Sequence, residues 1–432
     1  RDVERSRGLG DVYKRQIVWY DDFNMLFLLH IGRVDNVKNY RLHISEGFRD
    51  SFGPEMLVKK EIESRTLKAF SSFGYELIKT PAVEYIDVYS DNGIQKPDVY
   101  NLINRQGEVM ALCNDMTASI ARFVGSNPVS GPVKYCYCAD VLRYPKPYQG
   151  KQHQFLQAGV EYIGGTGLEV DAECIYLAFK CLTACNVKGF TIHLGSAKFL
   201  ELLLEDFGIA EELRKQVYRS IENKDYVSLK KVLIQNIEKE KADFILELML
   251  RGGKLRYIER LMKQLTGTKS YEILKELKQI YMTLRELEVD NLIFDFSIYS
   301  YAKYYTGIIF SVYADGIAKA VIEGGRCDTI LQQFGKSLPD IGFGLDIDSL
   351  TTYALKKNSI EIRQEKYLSF CHADSFVPAC RKNELLRKSG VIVNHLPFPT
   401  LEEARQYARR HGYCKIIEYE ENSFKLWEVE EC

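Results

Sequence analysis

The spacing of its strand-like runs restricts the fold of this chain more than any other feature. Val99 to Ile103, Val109 to Cys113, Val133 to Arg143 and Phe155 to Ile163 follow one another through polar or glycine-containing loops, without a helix between each pair. Parallel neighbours need a crossover of a dozen residues or more, usually a helix, whereas antiparallel strands need only a turn. The pattern therefore predicts an antiparallel sheet rather than a doubly wound parallel one. Helices flank it. From Pro54 to Phe73 the apolar residues Met56, Leu57, Ile62, Leu67, Phe70 and Phe73 roughly follow one helical stripe, with proline at a natural start and Gly74 just past the end. Tyr75 to Pro81 alternates as a strand stopped by proline, and Leu168 to Cys185 returns to helical spacing before a short strand at Gly189 to Leu194.

Between about Leu200 and Leu287 the composition shifts to Leu, Lys, Glu and Arg, with apolar positions three or four apart and no proline, which predicts a helical insertion. Strands resume at Leu292 to Tyr299, Thr306 to Tyr313 and Ala318 to Glu323, followed by Gly324-Gly325-Arg326 and a helix-like stretch from Asp328. A charged linker near Lys356 to Lys366 leads to runs at Tyr367 to Cys371, Val391 to His395 and Ile416 to Tyr419, the last beginning a hairpin-like pair. The expectation is an α+β core over residues 37–355, interrupted by the insertion at about 200–287, and a small C-terminal α/β domain at 366–432. Residues 1–36 have mixed charge and no period, and are expected to be a poorly ordered leader, tag or non-native extension.

Bulk properties exclude several classes. The 432 residues are 46% hydrophobic, enough to bury a real core in two or three domains. Lys plus Arg number 58 against 59 acids, so no overall basic field draws the chain to nucleic acid or an anionic membrane. The apolar run Met25 to Leu29 is far below the ~20 residues of a membrane span, and His30, Arg33 and Asp35 follow where a signal peptide needs a cleavage site. Eleven cysteines with no framework spacing fit reduced thiols in a cytoplasmic protein. Cys136 and Cys138 share a strand face but lack the second ligand pair of a zinc site, so neither metal nor cofactor is expected.

Four segments place polar side chains where a buried sheet would want apolar ones. In Leu112 to Thr117, Asp115 sits at a strand-to-helix junction, where it either accepts from an ammonium group or caps the helix starting near Thr117. Val141 to Gly150, with Arg143, is a basic, proline-stiffened connection. In the strand that follows, alternation puts Gln157, Gly159 and Glu161 on one side. That is either a solvated face or a backbone-floored hollow for a small zwitterion. Tyr304 and Tyr305, in Lys303 to Gly307, offer hydroxyls and ring faces to a heteroaromatic guest but are equally ordinary core residues. The glycines of Glu323 to Arg326 permit close backbone approach and are a weak signal alone.

Taken in order, these segments resemble the class II histidyl-tRNA synthetases and their paralogue, the regulatory subunit of ATP phosphoribosyltransferase. The resemblance runs from about Arg41 to Leu355 and opens at Ile44 to Asp50, which looks like the family's PEGxRD run with Ser45 in place of proline. The LxRY loop, the QxGVE strand, the YYTG run, the GGR turn and Pro339 to Gly344 follow in family order. It implies a class II aminoacyl-tRNA synthetase-like antiparallel sheet flanked by helices, assembled as a dimer. It also implies a pocket for free L-histidine, with Asp115 and Thr117 near the α-amino group, Gln157 and Glu161 beside it, Tyr304 and Tyr305 along the imidazole, and Arg143 retained from the second motif.

The departures from the family decide between its two branches. A synthetase stabilises charge developing on the α-phosphate with positioned arginines, and losing one such group typically lowers the rate by ~10²–10³. Ser300 stands where the resemblance places the arginine of RGLDYY, Pro145 where an acid follows Arg143, and Asp346-Ile347-Asp348-Ser349 where GLER closes the third motif. Lys303 can supply a point charge but not a bidentate guanidinium. The tail also looks too short for an anticodon-binding domain. The resemblance thus implies a non-catalytic regulatory subunit, with no catalytic residue of its own, that partners the short-form ATP phosphoribosyltransferase catalytic subunit. That complex performs the first step of histidine synthesis; the subunit is required for its activity and transmits feedback inhibition by histidine. No tRNA or membrane partner is expected. The alternatives are a histidyl-tRNA synthetase with an altered active site and a scaffold whose pocket is vestigial.

Overall fold

The computed structural model describes residues 40–90, 99–129, 131–144, 152–298, 305–362, 364–372, 375–420 and 423–429. The chain divides into two units, Arg1–Asp50 and Ser51–Cys432. The described part of the first contains a 3-10 turn at Tyr40–Leu42. The expected extension at 1–36 lies outside the described residues.

In the second unit the order is α1 (Pro54–Ser72), β1 (Glu76–Leu77), β2 (Val83–Tyr85), α2 (Asp87–Ser90), β3 (Asn101–Ile103), β4 (Val109–Leu112), α3 (Met116–Ser126), β5 (Val133–Leu142), β6 (Gln154–Ile163), α4 (Leu168–Ala184) and β7 (Phe190–Ser196). The insertion follows as α5 (Phe199–Asp206), α6 (Glu211–Glu222), α7 (Tyr226–Asn236), α8 (Lys239–Leu250), α9 (Leu255–Gln264) and α10 (Lys269–Glu286). Then come β8 (Leu292–Phe294), β9 (Ile308–Ala314), β10 (Ile322–Arg326), a 3-10 helix (Ile330–Phe334), β11 (Asp340–Asp346) and α11 (Ile347–Lys357). The C-terminal elements are β12 (Lys366–Cys371), α12 (Phe376–Lys388), β13 (Ile392–His395), α13 (Leu401–Arg410), β14 (Lys415–Tyr419) and β15 (Phe424–Glu428).

The large sheet has the order β1-β5-β6-β11-β10-β9-β7-β8. It is antiparallel from β5 to β7, as the strand spacing predicts. One strand joins in parallel at each edge, β1 on β5 and β8 on β7. Both edge pairs are separated in sequence by long crossovers, one containing α3 and the other the whole insertion, and such lengths are what parallel pairing needs. Two expected elements are displaced. A turn with Gly316 at φ 81° ends β9, and bends continue through the first part of the run expected to be a strand at 318–323, so β10 starts at Ile322. The expected helix from Asp328 is only the 3-10 turn, closed by Gly335 in the left-handed region.

The register divides the sheet into two unlike faces. Ala158 and Val160, Phe343 and Leu345, Ile322, Phe310 and Val312, and Ile192 and Leu194 project to one side and are buried in a single core with α1, α4 and α11. Phe70 of α1 meets Phe343 edge-on at 5.9 Å. Burying each large side chain here contributes up to ~1.5–3 kcal/mol. Directly paired residues share a face, so the other side carries the row Tyr137, Gly159, Gly344, Glu323, Ser311 and His193 across six strands. The adjacent row is Tyr135, Glu161, Gly342, Gly325, Ile309 and Gly195. α3 and the 3-10 helix pack over one end of this polar face through Met116, Ile120, Val124, Ile330 and Leu331.

A second sheet, β13-β12-β14-β15, is parallel over its first three strands and antiparallel at β15. One of its faces packs on α13 through Leu368, Ala404, Ala408 and Ile416, the other on α12 through Ala379, Val393 and Ile417. Among the described residues no helix is long and apolar enough to cross a membrane.

Candidate functional site

At the start of α3, Asp115 caps the helix by accepting from Thr117 N at 2.9 Å. The capping alternative for Asp115 is therefore realised, and it turns the Thr117 side chain toward the sheet. Thr117 Oγ1 donates to Glu161 Oε1 at 2.5 Å, joining two residues 44 apart in sequence, and Glu161 is only 3% exposed. Gln157 lies on the same face of β6, where its Oε1 accepts from the Tyr137 hydroxyl at 2.9 Å.

Glycines make room for these side chains. A methyl on Gly342 would stand 2.0 Å from Glu161 Oε2, and one on Gly344 would stand 2.5 Å from Gln157 Nε2. One on Gly159 would meet the Tyr137 hydroxyl at 2.4 Å. The room above Gly159, Gly342 and Gly344 is thus taken up by the Tyr137, Glu161 and Gln157 side chains, and the period-two Gly342 and Gly344 of β11 are the sequence signal for that.

Tyr305 packs with α3 and the 3-10 helix, and its ring lies over Gly325, where a methyl would come within 3.0 Å of Cδ1. Burial raises the Tyr305 and Tyr137 phenols, so both are neutral hydroxyls at physiological pH. Burial also pushes Glu161 well above the usual carboxylate range; the charge of Asp340 adds to this, while the Thr117 hydrogen bond opposes it. Asp340, at the start of β11 and 1% exposed, is raised for the same first reason.

Arg143 stands at the rim. It is exposed, donates from Nε to the Asn114 carbonyl at 3.1 Å and lies 5.3 Å over the Phe155 ring. Lys319 approaches that ring at 5.7 Å and pairs with Asp346 at 2.5 Å. Tyr304 lies outside the described residues, as do Pro145, Ser300 and Lys303. The site residues Asp115, Thr117 and Glu161 are brought into one bonded chain, Gln157 lies beside them, and Arg143 is tied to the residue preceding Asp115.

The structure separates the third-motif acids that the sequence grouped together. Asp346 caps α11 through Ser349 N at 2.8 Å and faces the polar side, opposite Gln157. Asp348 is turned away to α1, pairing with Lys59 at 2.6 Å and accepting from Leu156 N at 2.7 Å. Two residues advance an α-helix by about 200°, so both acids cannot face one ligand. Arg326 of the GGR turn is likewise bound inward, to Asp171 of α4, to the Gly165 carbonyl and to Asp328. Its neighbour Gly324 allows Phe310 and Phe343 to approach, and a methyl there would lie 2.7 Å from one ring and 2.5 Å from the other's Cβ.

Sequence reasoning did not single out Tyr137, Asp340 or His193. His193 continues the polar row, with Nδ1 2.7 Å from Asp295 and its ring 4.7 Å from that of Tyr313. Burial opposes ionisation of Asp295, but the bonds from His193 and Ser297 outweigh it and hold the carboxyl below its ordinary range. A depression of about 490 Å³ lined by Lys254, Arg256 and Arg285 lies on the insertion. It holds none of the residues that converge on Glu161. Among the described residues no group of three or more His, Cys, Asp and Glu side chains could hold a metal ion.

A buried carboxylate held by a helix-start hydroxyl, over glycine-floored antiparallel strands, matches a known architecture. The histidyl-tRNA synthetase family model covers residues 47–350. The chain belongs to that family. Its curated relatives include ATP phosphoribosyltransferase regulatory subunits from Clostridium kluyveri, 29% identical over 86% of this chain and 97% of the relative, and from Clostridium botulinum, 30% identical over 79% and 83%. Among solved structures, an ATP phosphoribosyltransferase regulatory subunit/histidyl-tRNA synthetase from Bacillus halodurans aligns with a TM-score of 0.77 at 24% identity, covering 88% of this chain and 99% of that one. Histidyl-tRNA synthetase from Nostoc aligns with a TM-score of 0.75 at 20% identity, covering 90% and 97%. The histidyl-tRNA synthetase-like fold expected from the sequence is the fold found, together with a small C-terminal sheet unit.

Proposed function

We propose that this chain is a non-catalytic regulatory subunit of ATP phosphoribosyltransferase and that it binds free L-histidine on the polar face of its sheet. The observation that carries the first half is likeness to regulatory subunits along nearly their whole length, 97% of one relative and 83% of another. The Thr117–Glu161 bond and the glycine floor support the second. In this reading Asp115 and Thr117 receive the ammonium group with Gln157 and Glu161 beside it, Tyr304 and Tyr305 line the imidazole side, and Arg143 stands at the rim. Each charge-assisted bond contributes ~1.5–3 kcal/mol.

Loss of aminoacylation chemistry follows from charge. Where the resemblance implies a third-motif arginine, Asp346 and Ser349 are engaged in capping α11, and the lysines beside this turn are paired, Lys319 with Asp346 and Lys59 with Asp348. The partner is the short-form catalytic subunit, whose activity requires this chain and whose inhibition by histidine it transmits. Such feedback requires histidine to bind two states of the complex unequally. Self-association as a dimer within the hetero-oligomer is supported by the exposed apolar residues Tyr85, Leu102, Ile103 and Val109 on the small sheet β2-β4-β3. Residues 37–355 serve as the core, 366–432 as a separate domain, and the complex works in the cytoplasm.

Three measurements test this. Calorimetry with millimolar L-histidine should show binding, and its absence would end the sensing role. Histidine-dependent exchange of pyrophosphate into ATP should be undetectable; a robust signal would favour an active synthetase. Glu161→Ala should abolish feedback while leaving assembly intact, and unchanged feedback would point to a scaffold with a vestigial pocket.

A further inference from the structure

Behind Glu161 the sheet carries a second buried acid that ligand contacts leave unexplained. Asp340 pairs in register with Ile163, two residues along β6 from Glu161, so both acids project to the polar face. They hold diagonal positions on paired strands, where side chains ~7–8 Å apart at the backbone can meet, and both are almost fully buried. A hydrogen bond between two carboxyl oxygens requires a proton on one of them, because an ionised carboxylate only accepts. Among the described residues no N–H or O–H reaches the buried Asp340 Oδ1, and a proton shared with Glu161 would give it a partner. Like charges this close, shielded from water, cannot both ionise, so the pair titrates as a unit.

Every element packed around the pair adds to this picture. From α3, Asp115 contributes a further negative charge, and Thr117 donates its hydroxyl to Glu161. From the end of β10, Arg326 favours ionisation of Asp340 and Asp328 opposes it, but Arg326 is already committed to Asp171. Tyr137, Cys327 and Cys174 are buried neutral groups and Tyr305 a partly buried one, each raised by desolvation. Of the cations nearby, Arg326 is committed to Asp171 and Arg143 stands exposed at the rim, bound to the Asn114 carbonyl, so a cationic ligand seated between the acids is what would let both ionise.

We propose that Asp340 is a positioning residue acting through Glu161: it keeps one proton on the pair while the pocket is empty, and a cationic amino-acid ligand displaces that proton on docking. This rests on the histidine reading above. The ligand's positive charge favours the doubly ionised pair, so one proton leaves for each ligand bound. By linkage, affinity rises with pH by up to about tenfold per unit over the range in which the empty pair keeps its proton. Burial and mutual repulsion place that range above the ordinary carboxylate values.

The test is calorimetry of the full chain with L-histidine between pH 6 and 8, in buffers of different ionisation enthalpy, for wild type and Asp340→Asn. The asparagine keeps the shape and can donate to Glu161. Histidine's own titration is common to both proteins, so the difference isolates the pair. Wild type should release close to one proton more per histidine than the variant, and its Kd should fall by up to about tenfold more per pH unit. Equal proton release and equal pH slopes would overturn the proposal. Infrared spectra of the ligand-free proteins give a check independent of binding: a neutral carboxyl band at pH 7 in wild type, lost in Asp340→Asn. Its absence from wild type also overturns the shared proton. A band in wild type with no heat on adding histidine would instead sink the histidine reading.

Discussion

Gly342→Ala and Gly344→Ala place the same methyl group two residues apart on β11, yet the structure assigns them opposite consequences. At Gly342 the new methyl would sit 2.2 Å from the Val160 carbonyl oxygen and 2.0 Å from Glu161 Oε2. Comfortable packing needs ~3.5 Å. The carboxylate could swing, but the carbonyl belongs to the neighbouring strand, so β6 and β11 must part by roughly 1 Å. Overpacking of this kind costs ~1–3 kcal/mol, and a displaced ladder belongs near the upper end. Reduced freedom of the unfolded chain returns ~0.4–1 kcal/mol, leaving a net loss of about 2 kcal/mol. At ~2–4 °C per kcal/mol for a large domain, Tm should fall by roughly 4–8 °C. At Gly344 the nearest atom is the Gln157 amide, 2.5 Å away at the end of a flexible side chain. Swinging it aside breaks only the bond from Tyr137, so stability should change by less than about 1 kcal/mol. Histidine affinity, by contrast, should drop about tenfold as Gln157 is displaced. Thermal unfolding and calorimetry on both variants decide the matter. Gly342→Ala as stable as wild type, or Gly344→Ala the less stable of the two, would refute the proposed packing.

Arg326→Ala should destabilise the protein by about 3–5 kcal/mol, read from urea unfolding, because Asp171 would be left buried without its partner. The double variant with Asp171→Ala should recover part of that loss. Asp115→Ala should cost about 1 kcal/mol through the lost helix cap. Asp115→Asn, an equally good cap, should keep stability but still weaken histidine binding in calorimetry, and unchanged affinity would remove Asp115 from the pocket. Asp295 ionises more readily when folded than unfolded, so its contribution is present above the ordinary carboxylate range and lost as pH falls through the folded value. Asp295→Asn should therefore flatten the acid side of the stability profile, and an unchanged acid limb would show that the His193–Asp295 pair is not responsible.

Local pattern determined a good deal. The alternation in Gln154–Ile163 already put Gln157, Gly159 and Glu161 on one face, and the pairing register agrees. The stripe in Pro54–Ser72 made that helix legible, with its proline start. The antiparallel centre of the sheet followed from strand spacing alone. The resemblance carried the family and the set of residues worth watching. These features depend on periods of two and 3.6 residues, which neighbours along the chain enforce by themselves.

What only the tertiary structure decided involves residues far apart in sequence. The Thr117–Glu161 bond spans 44 residues, and the pairing of β6 with β11 brings Asp340 to Glu161 across nearly 180. In the linear chain Asp346 and Asp348 looked like one acidic patch; folding sends one to cap α11 and the other to Lys59. Arg326 ended a run read only for its glycines and became a lock between β10 and α4. The parallel edges β1 and β8 were hidden because edge pairing is chosen by which strand has an unpaired side free once the centre has formed. Composition and period say which face a side chain takes. Which charges end up without water is settled only when the strands that carry them are brought side by side.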